Sequence, residues 1–428
     1  MSDVSVDVVV VGAGLAGMCA AVEAANGGAR ALVVERAPFV GGSAAISAGF
    51  VWSLEDLNQL AEEDGGEHSR YGHLVVTGLD DALEWLRPRT VALGERRRGN
   101  IGPGQHFDME FLFSQLTTEL SEKHGQVWTS SEVTDIRRTE DGWVLSVQRE
   151  DASVRVRATH VILATGGRQA DPAVRSRLIG AGHVPPLRGN PYSNGGGARI
   201  AESVGGTLNL DNDGFYGHLF PAGVRPHSPT DFLVLAQYHS AQGLLLAHAD
   251  SHLIGLEVPH DHLKALELAK HGGRGLLIWT DEVQKAAVAA QAVPGSPVLN
   301  RWDVARRRGA RVGFASDLAS LAAQVGEWGY DIDALPSVAA TAFGDSSLYA
   351  MDVEVAITFT FGGVVVDEDG VVVDSTGDPI PGLFAVGADM SDAYHRGYGG
   401  GLALAIVTGR RAGVAVAEAI RSAVLAAH

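Results

Sequence analysis

The chain has 428 residues, which is too long for one ordinary core and typical of two or three domains. It is 46% hydrophobic and 20% charged, which excludes intrinsic disorder, and its net charge of −18 disfavours nucleic acids and anionic membrane surfaces as partners. A single cysteine excludes an internal disulfide, and with no signal-peptide pattern and no apolar run of ~18 residues we expect a cytoplasmic protein without a membrane span.

The first elements predict a βαβ unit. Residues 6–11 (VDVVVV) are a continuous β-branched run, typical of a buried parallel strand. Residues 15–26 predict the helix that follows, closed by two glycines, and residues 31–35 predict a second buried strand.

A G-x-G-x-x-G motif lies between this first strand and the helix. Gly12 makes the turn, Gly14 lets a pyrophosphate approach the backbone, and Gly17 lets the helix pack on the sheet. Glu35 ends the next strand, and its distance from Gly17 along the chain is close to the ~20 residues expected for an acid that binds a ribose. The motif predicts a dinucleotide site and is compatible with FAD or NAD.

The next part of the chain, residues 41–163, predicts a loop, helical segments and a meander. Residues 41–49 form a loop of small residues, and residues 54–98 are mostly polar and helical. Residues 106–124 predict an amphipathic helix. Residues 127–163 alternate in short strands, which predicts an antiparallel meander that ends in a buried strand and a glycine turn.

The pattern changes in the middle of the chain. Between residues 214 and 340 aromatic residues, histidines and helical segments dominate, which predicts an inserted second domain. Residues 362–374 then predict a hairpin and residues 382–387 a last buried strand. A glycine-rich stretch, HRGYGGGLALAIVTGRRAG at residues 395–413, opens the final helix.

Several of these stretches together resemble the succinate dehydrogenase/fumarate reductase flavoprotein superfamily, closest in pattern to its 3-ketosteroid dehydrogenase-like branch. The stretches that carry the resemblance are residues 8–49, 164–167, 193–206 and 360–413. The resemblance implies an α/β fold in which a Rossmann-like FAD-binding domain combines a parallel sheet with an antiparallel meander. That domain would comprise residues 1–213 and 341–428, with an inserted α+β substrate-binding cap at residues 214–340.

The resemblance also implies bound FAD, held non-covalently because no histidine near Ser43 matches the one that tethers FAD in succinate dehydrogenases. Glu35 would bind the adenosine ribose, Asp389 stands where the family usually has a ribitol-contacting Glu, and Gly401 and Leu402 would offer N–H groups to the flavin ring. The full set of implied FAD contacts is Gly12, Gly14, Leu15, Ala16, Gly17, Glu35, Arg36, Gly42, Ser43, Ala48, Gly49, Val133, Ala164, Thr165, Gly166, Gly387, Asp389, Gly401 and Leu402.

Four residues are candidates for the proton chemistry. Arg396 falls where fumarate reductases have a proton-delivering arginine, and Tyr398 falls near a ketone-polarising tyrosine of ketosteroid dehydrogenases. The segment cannot be aligned both ways without a gap, so both assignments stay open. Tyr349 lies in a segment similar to the Phe-Tyr-Ala of the ketosteroid branch, and His395 is a further possible base.

The expected substrate pocket is apolar. Phe359 stands where fumarate reductases have a carboxylate-binding histidine before Thr-x-Gly-Gly, and Phe361 follows two residues later. Trp52 could line the same cavity or belong to the core. Phenylalanine cannot bind a carboxylate, which favours a carbonyl-bearing apolar substrate over a dicarboxylate.

These observations predict an FAD-dependent oxidoreductase that dehydrogenates, or reduces, a carbon–carbon bond next to a carbonyl in a ketosteroid-like or cyclic ketone. The alternatives are a fumarate-reductase-like reductase of an unsaturated acid, a flavin monooxygenase or oxidase, and a non-enzymatic flavoprotein. Its expected partners are a small-molecule carbonyl substrate, an electron acceptor or donor that the sequence does not identify, and a second copy of the chain. No metal is expected, because His252, His260 and His262 lack a recognised ligand spacing.

Overall fold

The chain forms two compact units in this computed structural model. The described residues are 3–65, 69–99, 101–149, 152–180, 182–212, 214–292, 297–330, 335 and 342–426. The first unit comprises residues 1–170, 190–214 and 360–428, and the second comprises residues 171–189 and 215–359.

Short strands occur throughout both units. In chain order they are β1 (Asp3–Ser5), β2 (Val8–Val11), β3 (Ala31–Val34), β4 (Phe50–Trp52), β5 (Arg97–Arg98), β6 (Pro103–His106), β7 (Gln126–Trp128), β8 (Ser131–Thr139), β9 (Gly142–Arg149), β10 (Ala152–Ala158), β11 (His160–Leu163), β12 (Leu208–Asn209), β13 (Phe215–Pro221), β14 (Leu244–Ala247), β15 (Leu253–Ile254), β16 (Arg274–Thr280), β17 (Val312–Ala315), β18 (Leu348–Thr360), β19 (Gly363–Val364), β20 (Val371–Val373) and β21 (Pro379–Ala385).

The helices are fewer and vary widely in length. In chain order they are α1 (Leu15–Asn26), α2 (Gly42–Ala45), α3 (Leu57–Glu63), α4 (Gly72–Leu86), α5 (Met109–Glu122), α6 (Pro172–Ile179), α7 (Gly196–Ser203), α8 (Phe232–Leu235), α9 (Asp261–Lys270), α10 (Asp281–Ala289), α11 (Arg301–Arg307), α12 (Leu318–Gly326) and α13 (Gly401–Ala426).

The first unit is built on a six-stranded sheet in the order β20-β21-β11-β2-β3-β7. Its strands pair in parallel except for β20, which is antiparallel to β21. All four residues of β2 and of β3 are buried, as expected for strands covered on both faces. The predicted βαβ unit is therefore confirmed, with α1 bounded as expected.

The predicted meander forms a second sheet in the same unit. Strands β8, β9 and β10 pair antiparallel, and β1 adds to β10 in parallel. The next strand, β11, leaves this sheet and pairs in parallel with β2, where Leu163 lies opposite Val11. This register brings the glycine turn after β11 beside the turn after β2.

Glycines let α1 and α13 pack closely against each other. A Cβ atom at Gly409 would lie 2.3 Å from the Ala16 carbonyl oxygen, and one at Gly413 would lie 2.4 Å from that of Ala20. The two glycines thus permit a helix approach that any larger residue would block.

The predicted hairpin at residues 362–374 is present. Val366 and Val372 form an antiparallel bridge, and backbone hydrogen bonds join the Asp367 N–H to the Val371 carbonyl at 2.9 Å and the Val373 N–H to the Val365 carbonyl at 3.1 Å. Its strands also pair with other segments, β19 with β12 and β20 with β21.

The second unit is a mixed α+β body around a sheet in the order β13-β18-β16-β14-β15, with β17 also paired to β18. One apolar cluster includes Phe215, Trp279 and Met351, and another includes Leu276 and Ala350. Compared with the boundaries drawn from the sequence, residues 171–189 and 341–359 also belong to this unit. The role of residues 214–340 as a substrate cap stays a prediction.

Candidate active site

The glycine motif forms a tight turn between β2 and α1. Gly12 has a φ of +110°, and a Cβ atom there would lie 2.3 Å from the Ala164 carbonyl oxygen. A Cβ atom at Gly17 would lie 2.0 Å from the Gly12 carbonyl oxygen. These two glycines are required by the protein's own packing, as their predicted roles demand.

Gly14 is different, because a Cβ atom there would meet nothing within 4 Å. Gly14 is also the N-cap of α1, and it caps the helix without a side-chain hydrogen bond. The predicted contacts Leu15 and Ala16 form the first turn, whose N–H groups have no partner within a helix. This helix start offers open space and donors to an anion.

A second glycine turn lies against the first. Gly14 forms an isolated bridge with Gly41, and a Cβ atom at Gly42 would lie 3.2 Å from the Gly14 Cα. Ser43 follows in α2 and is exposed. Gly49 has a φ of +75° and lies after Ala48 beside the Phe107 carbonyl oxygen.

Glu35 holds the glycine turn between β2 and α1 through hydrogen bonds from the backbone. Its carboxylate accepts hydrogen bonds from the Ala13 N–H at 2.7 Å and from the Ala37 N–H at 2.6 Å, and the side chain is 8% exposed. The next residue, Arg36, is half-buried, donates to the Tyr192 carbonyl and lies 3.5 Å from Glu132. Val133 is half-buried beside an irregularity of β8.

The turn after β11 is held by Asp389. This buried carboxylate accepts hydrogen bonds from the Thr165 N–H and hydroxyl at 2.5 and 2.9 Å and from the Gly167 N–H at 3.0 Å. A Cβ atom at Gly197 would lie 2.4 Å from it, so the carboxylate lies at the start of α7. Burial raises the pKa of Asp389 above its usual value, and the donated hydrogen bonds oppose that shift.

The remaining predicted contacts of this region are Ala164, Gly166 and Gly387. Ala164 is buried, and Gly166 has a φ of +90°. Gly387 lies two residues before Asp389 and donates its N–H to the Thr408 hydroxyl at 2.9 Å, which ties it to α13.

The glycine run before α13 packs against aromatic residues. A Cβ atom at Gly400 would lie 2.0 Å from the Trp52 carbonyl oxygen. The Gly401 N–H donates to the Tyr398 hydroxyl oxygen at 2.6 Å, and Leu402 follows in the first turn. The Tyr398 ring contacts Trp52 edge-on, with ring centroids 5.8 Å apart. This run therefore serves close packing as well as a helix N-terminus.

A buried carboxylate holds the loop that precedes Tyr398. Asp64 is 2% exposed, and its Oδ1 accepts from the N–H groups of three successive residues, His395, Arg396 and Gly397, each at 3.3 Å. His395 is exposed, whereas Arg396 is half-buried. Consecutive N–H groups that converge on one anion fix a loop firmly.

The pocket candidates divide between the two units. In the first unit Phe361 is 1% exposed, and its ring lies 5.8 Å from that of Tyr394, which in turn lies 5.4 Å from Tyr398. Phe359 is buried in the second unit.

Tyr349 belongs to the second unit as well. Its ring stacks on Trp279 at 5.9 Å and touches Trp302 and Phe314. Burial and the neighbouring Asp281 raise the pKa of its hydroxyl. These contacts are those of a residue in the sheet's own packing.

Sequence reasoning missed Asp64 and Tyr394. Asp64 lies in the acidic run EEDGGE, which gives no signal of burial. Tyr394 is 1% exposed, and its hydroxyl donates to the Gly400 carbonyl at 3.1 Å. Its position just before the glycine run was the feature of the sequence that could have identified Tyr394 as a residue of the site.

Within the described ranges, no group of three or more His, Cys, Asp or Glu side chains is placed to hold a metal ion. No described helix combines the length and apolar character needed to cross a membrane.

The described residues fit FAD. The open space beside Gly14, the uncapped start of α1 and the adjacent Gly42 form a cradle for a pyrophosphate. A side chain at Gly14 would fill that cradle, whereas nothing in the protein's own packing requires glycine there.

Comparison with known proteins agrees with this site. The family described as FAD binding domain matches residues 7–87 and 84–402. A fumarate reductase (cytochrome) from Shewanella frigidimarina is 26% identical over 457 residues, covering 97% of this chain and 77% of that protein.

A further relative and a structural neighbour are dehydrogenases of oxo compounds. A 4-oxocyclohex-2-ene-1-carboxylate 5-dehydrogenase from Sinomonas cyclohexanicum is 25% identical over 339 residues, covering 68% of this chain and 57% of that protein. The structure of a 3-ketosteroid-Δ4-(5α)-dehydrogenase from Rhodococcus jostii RHA1, in complex with 4-androstene-3,17-dione, superposes with a TM-score of 0.70 at 20% identity. It covers 97% of this chain and 98% of that one, and shows a shared fold.

The family match extends over nearly the whole chain, from the first buried strand to the start of α13. The chain belongs to the FAD binding domain family and is an FAD-dependent oxidoreductase of the fumarate reductase and ketosteroid dehydrogenase type, acting on carbon–carbon bonds.

Proposed function

We propose that this enzyme dehydrogenates, or in reverse reduces, a carbon–carbon bond next to the carbonyl of an apolar, cyclic ketone substrate. The observation that carries this proposal is the contact of Trp52, Tyr394 and Tyr398 at the start of α13, with Phe361 packed on Tyr394. Trp52 and Tyr398 are the half-buried members that can face a ligand, whereas Tyr394 and Phe361 are buried behind them. Such an aromatic face suits an apolar ring, and the Tyr398 phenol suits a carbonyl oxygen.

Tyr398 is the proposed partner of that carbonyl. Its hydroxyl oxygen accepts a hydrogen bond from the Gly401 N–H at the positive end of α13. Both features stabilise negative charge on the phenolic oxygen, and therefore favour proton donation toward an enolate oxygen. Arg396, on the loop held by Asp64, is the second proposed proton carrier.

The first unit would hold FAD at the glycine cradle and along the start of α13, through the nineteen contacts predicted from the sequence. Bound FAD supplies a hydride acceptor for dehydrogenation or a hydride donor for reduction. The protein's own part is to orient the substrate ring, to exclude water and to move a proton at Tyr398 or Arg396.

A second candidate function is the reduction of an unsaturated acid. Arg396 supports it, because a guanidinium can bind a carboxylate as well as carry a proton. The fumarate reductase relatives, which match 97% of this chain, support it too.

The test is anaerobic mixing of the FAD-loaded enzyme with saturated 3-ketosteroids and cyclohexanones, followed by the flavin absorbance. Bleaching by a ketone supports dehydrogenation. Reoxidation of dithionite-reduced enzyme by fumarate, without bleaching by any ketone, favours the second candidate instead. Rapid formation of a flavin–oxygen adduct when air is admitted to the reduced enzyme would favour a monooxygenase.

Two variants then assign the proton step. Tyr398→Phe and Arg396→Ala are each compared with the wild type for the rate of bleaching. We expect bleaching to be slower by roughly 10²-fold or more in the variant that lacks the residue carrying the proton. Full turnover in both variants would refute both assignments.

A further inference from the structure

Two arginines lie in the interior of the second unit. Arg188 is 4% exposed and Arg301 is 6% exposed. A guanidinium keeps its proton in proteins, so both side chains are charged. Within the described part of the chain, neither forms an ion pair with an aspartate or a glutamate. A buried charge without a counter-charge is costly, so this part of the unit favours a bound anion.

Arg188 is held by neutral groups. Its Nη1 donates to the Thr358 hydroxyl at 2.7 Å, and its Nη2 donates to the Tyr238 hydroxyl at 3.1 Å. Its guanidinium carbon lies 4.7 Å from the centre of the Phe232 ring and 5.7 Å from that of Tyr216. The Nε–H of Arg188 is buried, and none of the described residues accepts it.

Arg301, the first residue of α11, packs on the same segment. Its Nη2 donates to the Leu233 carbonyl at 3.0 Å, and its guanidinium carbon lies 5.0 Å from the centre of the Tyr238 ring. Burial lowers the pKa of Arg301, and the nearby Tyr238 opposes that shift. Its Nε–H is also buried and has no acceptor among the described residues. Both guanidinium groups therefore lie against residues 232–238.

Tyr238 contacts both guanidinium groups and adds a third donor. Its hydroxyl oxygen accepts from Arg188, whereas its own O–H has no acceptor in the described ranges. The Tyr238 side chain is half-buried, which makes it the most accessible of the three. Two N–H groups and one O–H are thus available to a ligand that only accepts hydrogen bonds, as an anion does.

The nearby acids do not compensate both arginines. The Asp261 carboxylate is bound to Nδ1 of His218 at 2.5 Å. Burial opposes ionisation of Asp261, but attraction to His218 and Arg188 outweighs it, and the pKa of Asp261 is lowered. The other acid, Asp231, forms an ion pair with Arg308 at 2.8 Å. At most one of the two buried arginine charges is therefore offset.

The neighbouring histidines are neutral at pH 7. Burial and Arg188 lower the pKa of His218, and burial and Arg301 lower that of His239 to about 4. Burial is the main cause in each case, and the positive charge of the arginine adds to it. Two guanidinium charges therefore stand against one carboxylate, and one monovalent anion would cancel the surplus.

An anion satisfies these groups better than water does. Water can accept their hydrogen bonds but leaves the surplus charge, whereas an anion offsets both the charge and the unsatisfied donors. Because Arg188 and Arg301 are buried almost completely, the ligand has to be small.

We propose that the second unit binds a small monovalent anion, such as chloride or formate, through the Nε–H groups of Arg188 and Arg301 and the hydroxyl of Tyr238. The anion joins α11 to residues 232–238 and to β18, where Thr358 holds Arg188. It stabilises the folded unit, because the unfolded chain has no such site.

The position of the anion is tested in crystals of the full chain loaded with FAD. Crystals soaked in sodium bromide or in sodium formate should show the ion within hydrogen-bond distance of Nε of both arginines and of the Tyr238 hydroxyl. Bromide is identified by its anomalous scattering. A merely structural role of the arginines would leave no ion at this place.

The strength of binding is tested by thermal unfolding. Chloride or formate replaces gluconate, an anion too large for a buried site, at constant ionic strength. The unfolding temperature of the wild type should rise with the small anion and then saturate. Arg301→Gln should weaken this binding by roughly tenfold or more, because it removes one charge and one N–H donor. Arg301→Lys keeps the charge and should retain a weaker response, which serves the test if the glutamine variant does not fold.

Arg306→Gln is the matched control on the same helix. Arg306 is exposed and pairs with Asp303 at 2.8 Å, away from the buried donors. Its loss should leave the response to both anions unchanged.

The outcomes separate the two kinds of anion. A stronger response to chloride assigns a halide site, and a stronger response to formate assigns a carboxylate site, and each supports the proposal. It is overturned if neither bromide nor formate is found at the two arginines, or if Arg301→Gln responds to both anions as the wild type does.

Discussion

Three buried carboxylates in the first unit, Glu35, Asp64 and Asp389, bind backbone N–H groups. Glu35 accepts from two N–H groups, Asp389 from those of Thr165 and Gly167, and Asp64 from three successive N–H groups of the loop before Tyr398. Each segment held in this way is a turn or loop without ladder hydrogen bonds of its own. The acids therefore replace secondary structure where a ligand needs an irregular backbone.

Gly14 and Gly17 should respond to alanine in opposite ways. Gly14→Ala should keep the unfolding free energy of the FAD-free protein and weaken FAD binding by about tenfold or more, or ~1.4 kcal/mol, because the new Cβ enters only the open cradle. Gly17→Ala should cost about 1–3 kcal/mol of stability, because its Cβ would meet the Gly12 carbonyl. Urea unfolding and FAD titration by flavin fluorescence measure both effects. Unchanged FAD affinity in Gly14→Ala would contradict the cradle.

Glu35→Gln should destabilise the turn. One of the two N–H groups, of Ala13 or Ala37, would then face an amide N–H in place of an oxygen. The cost should be about 1–3 kcal/mol, measured by urea unfolding of the FAD-free protein.

Glu132→Gln is the control for that change. Glu132 is a half-exposed acid whose pairing with Arg36 should contribute less than about 1 kcal/mol. Equal losses in the two variants would show that the backbone contacts of Glu35 contribute nothing special.

At the scale of elements, the starts of α1 and α13 form the two ends of the proposed FAD site. Close contact between these helices, through Gly409 and Gly413, fixes their relative position within the first unit. Helix starts carry partial positive charge, which suits a pyrophosphate at one end and a reduced flavin at the other. The loop before α13 is then the element that carries the proton candidates.

Asp64→Ala should therefore impair both stability and chemistry. It removes the acceptor of three loop N–H groups, which should cost on the order of 3 kcal/mol and slow bleaching of FAD by an active ketone. Asp64→Asn keeps one acceptor oxygen and should lie between this variant and the wild type.

Asp56→Ala is a matched comparison in the same unit. Asp56 also accepts two backbone N–H groups, but it caps α3 and is exposed. Its loss should cost about 1 kcal/mol and leave the rate of bleaching unchanged. A normal rate in Asp64→Ala would show that the loop needs no such anchor.

At the scale of the whole molecule, acid should unfold the protein partly through its second unit. Burial lowers the pKa of His239 to about 4, below its ordinary value of 6.5. In the unfolded chain the imidazole takes up a proton as the pH falls below 6.5, whereas the folded protein resists protonation until about pH 4. Stability is therefore lost as the pH falls through this window.

The expected contribution of His239 is on the order of 3 kcal/mol between these limits. It is measured as the difference in unfolding free energy between pH 6.5 and pH 4 in the wild type and in His239→Gln, which should show a smaller difference. His252→Gln changes an exposed histidine and should keep the wild-type slope. Identical slopes in all three proteins would exclude His239 as a source of acid sensitivity.

Sequence by itself determined the βαβ unit, the glycine turn and the oxidoreductase family. The βαβ unit and its glycine turn are local, since the strand, the helix and the acid at the end of the next strand all lie within residues 6–35. The family rests on a resemblance that joins this segment to residues 164–167, 193–206 and 360–413.

Only the tertiary structure decided which distant residues meet. Asp64 binds N–H groups more than 330 positions along the chain, and the strands of the hairpin at residues 362–374 also pair with the distant β12 and with β21. Asp261 meets His218 only because α9 packs on β13. The physical reason is that burial and hydrogen bonding at these sites depend on non-local packing, which leaves no periodic trace in the sequence.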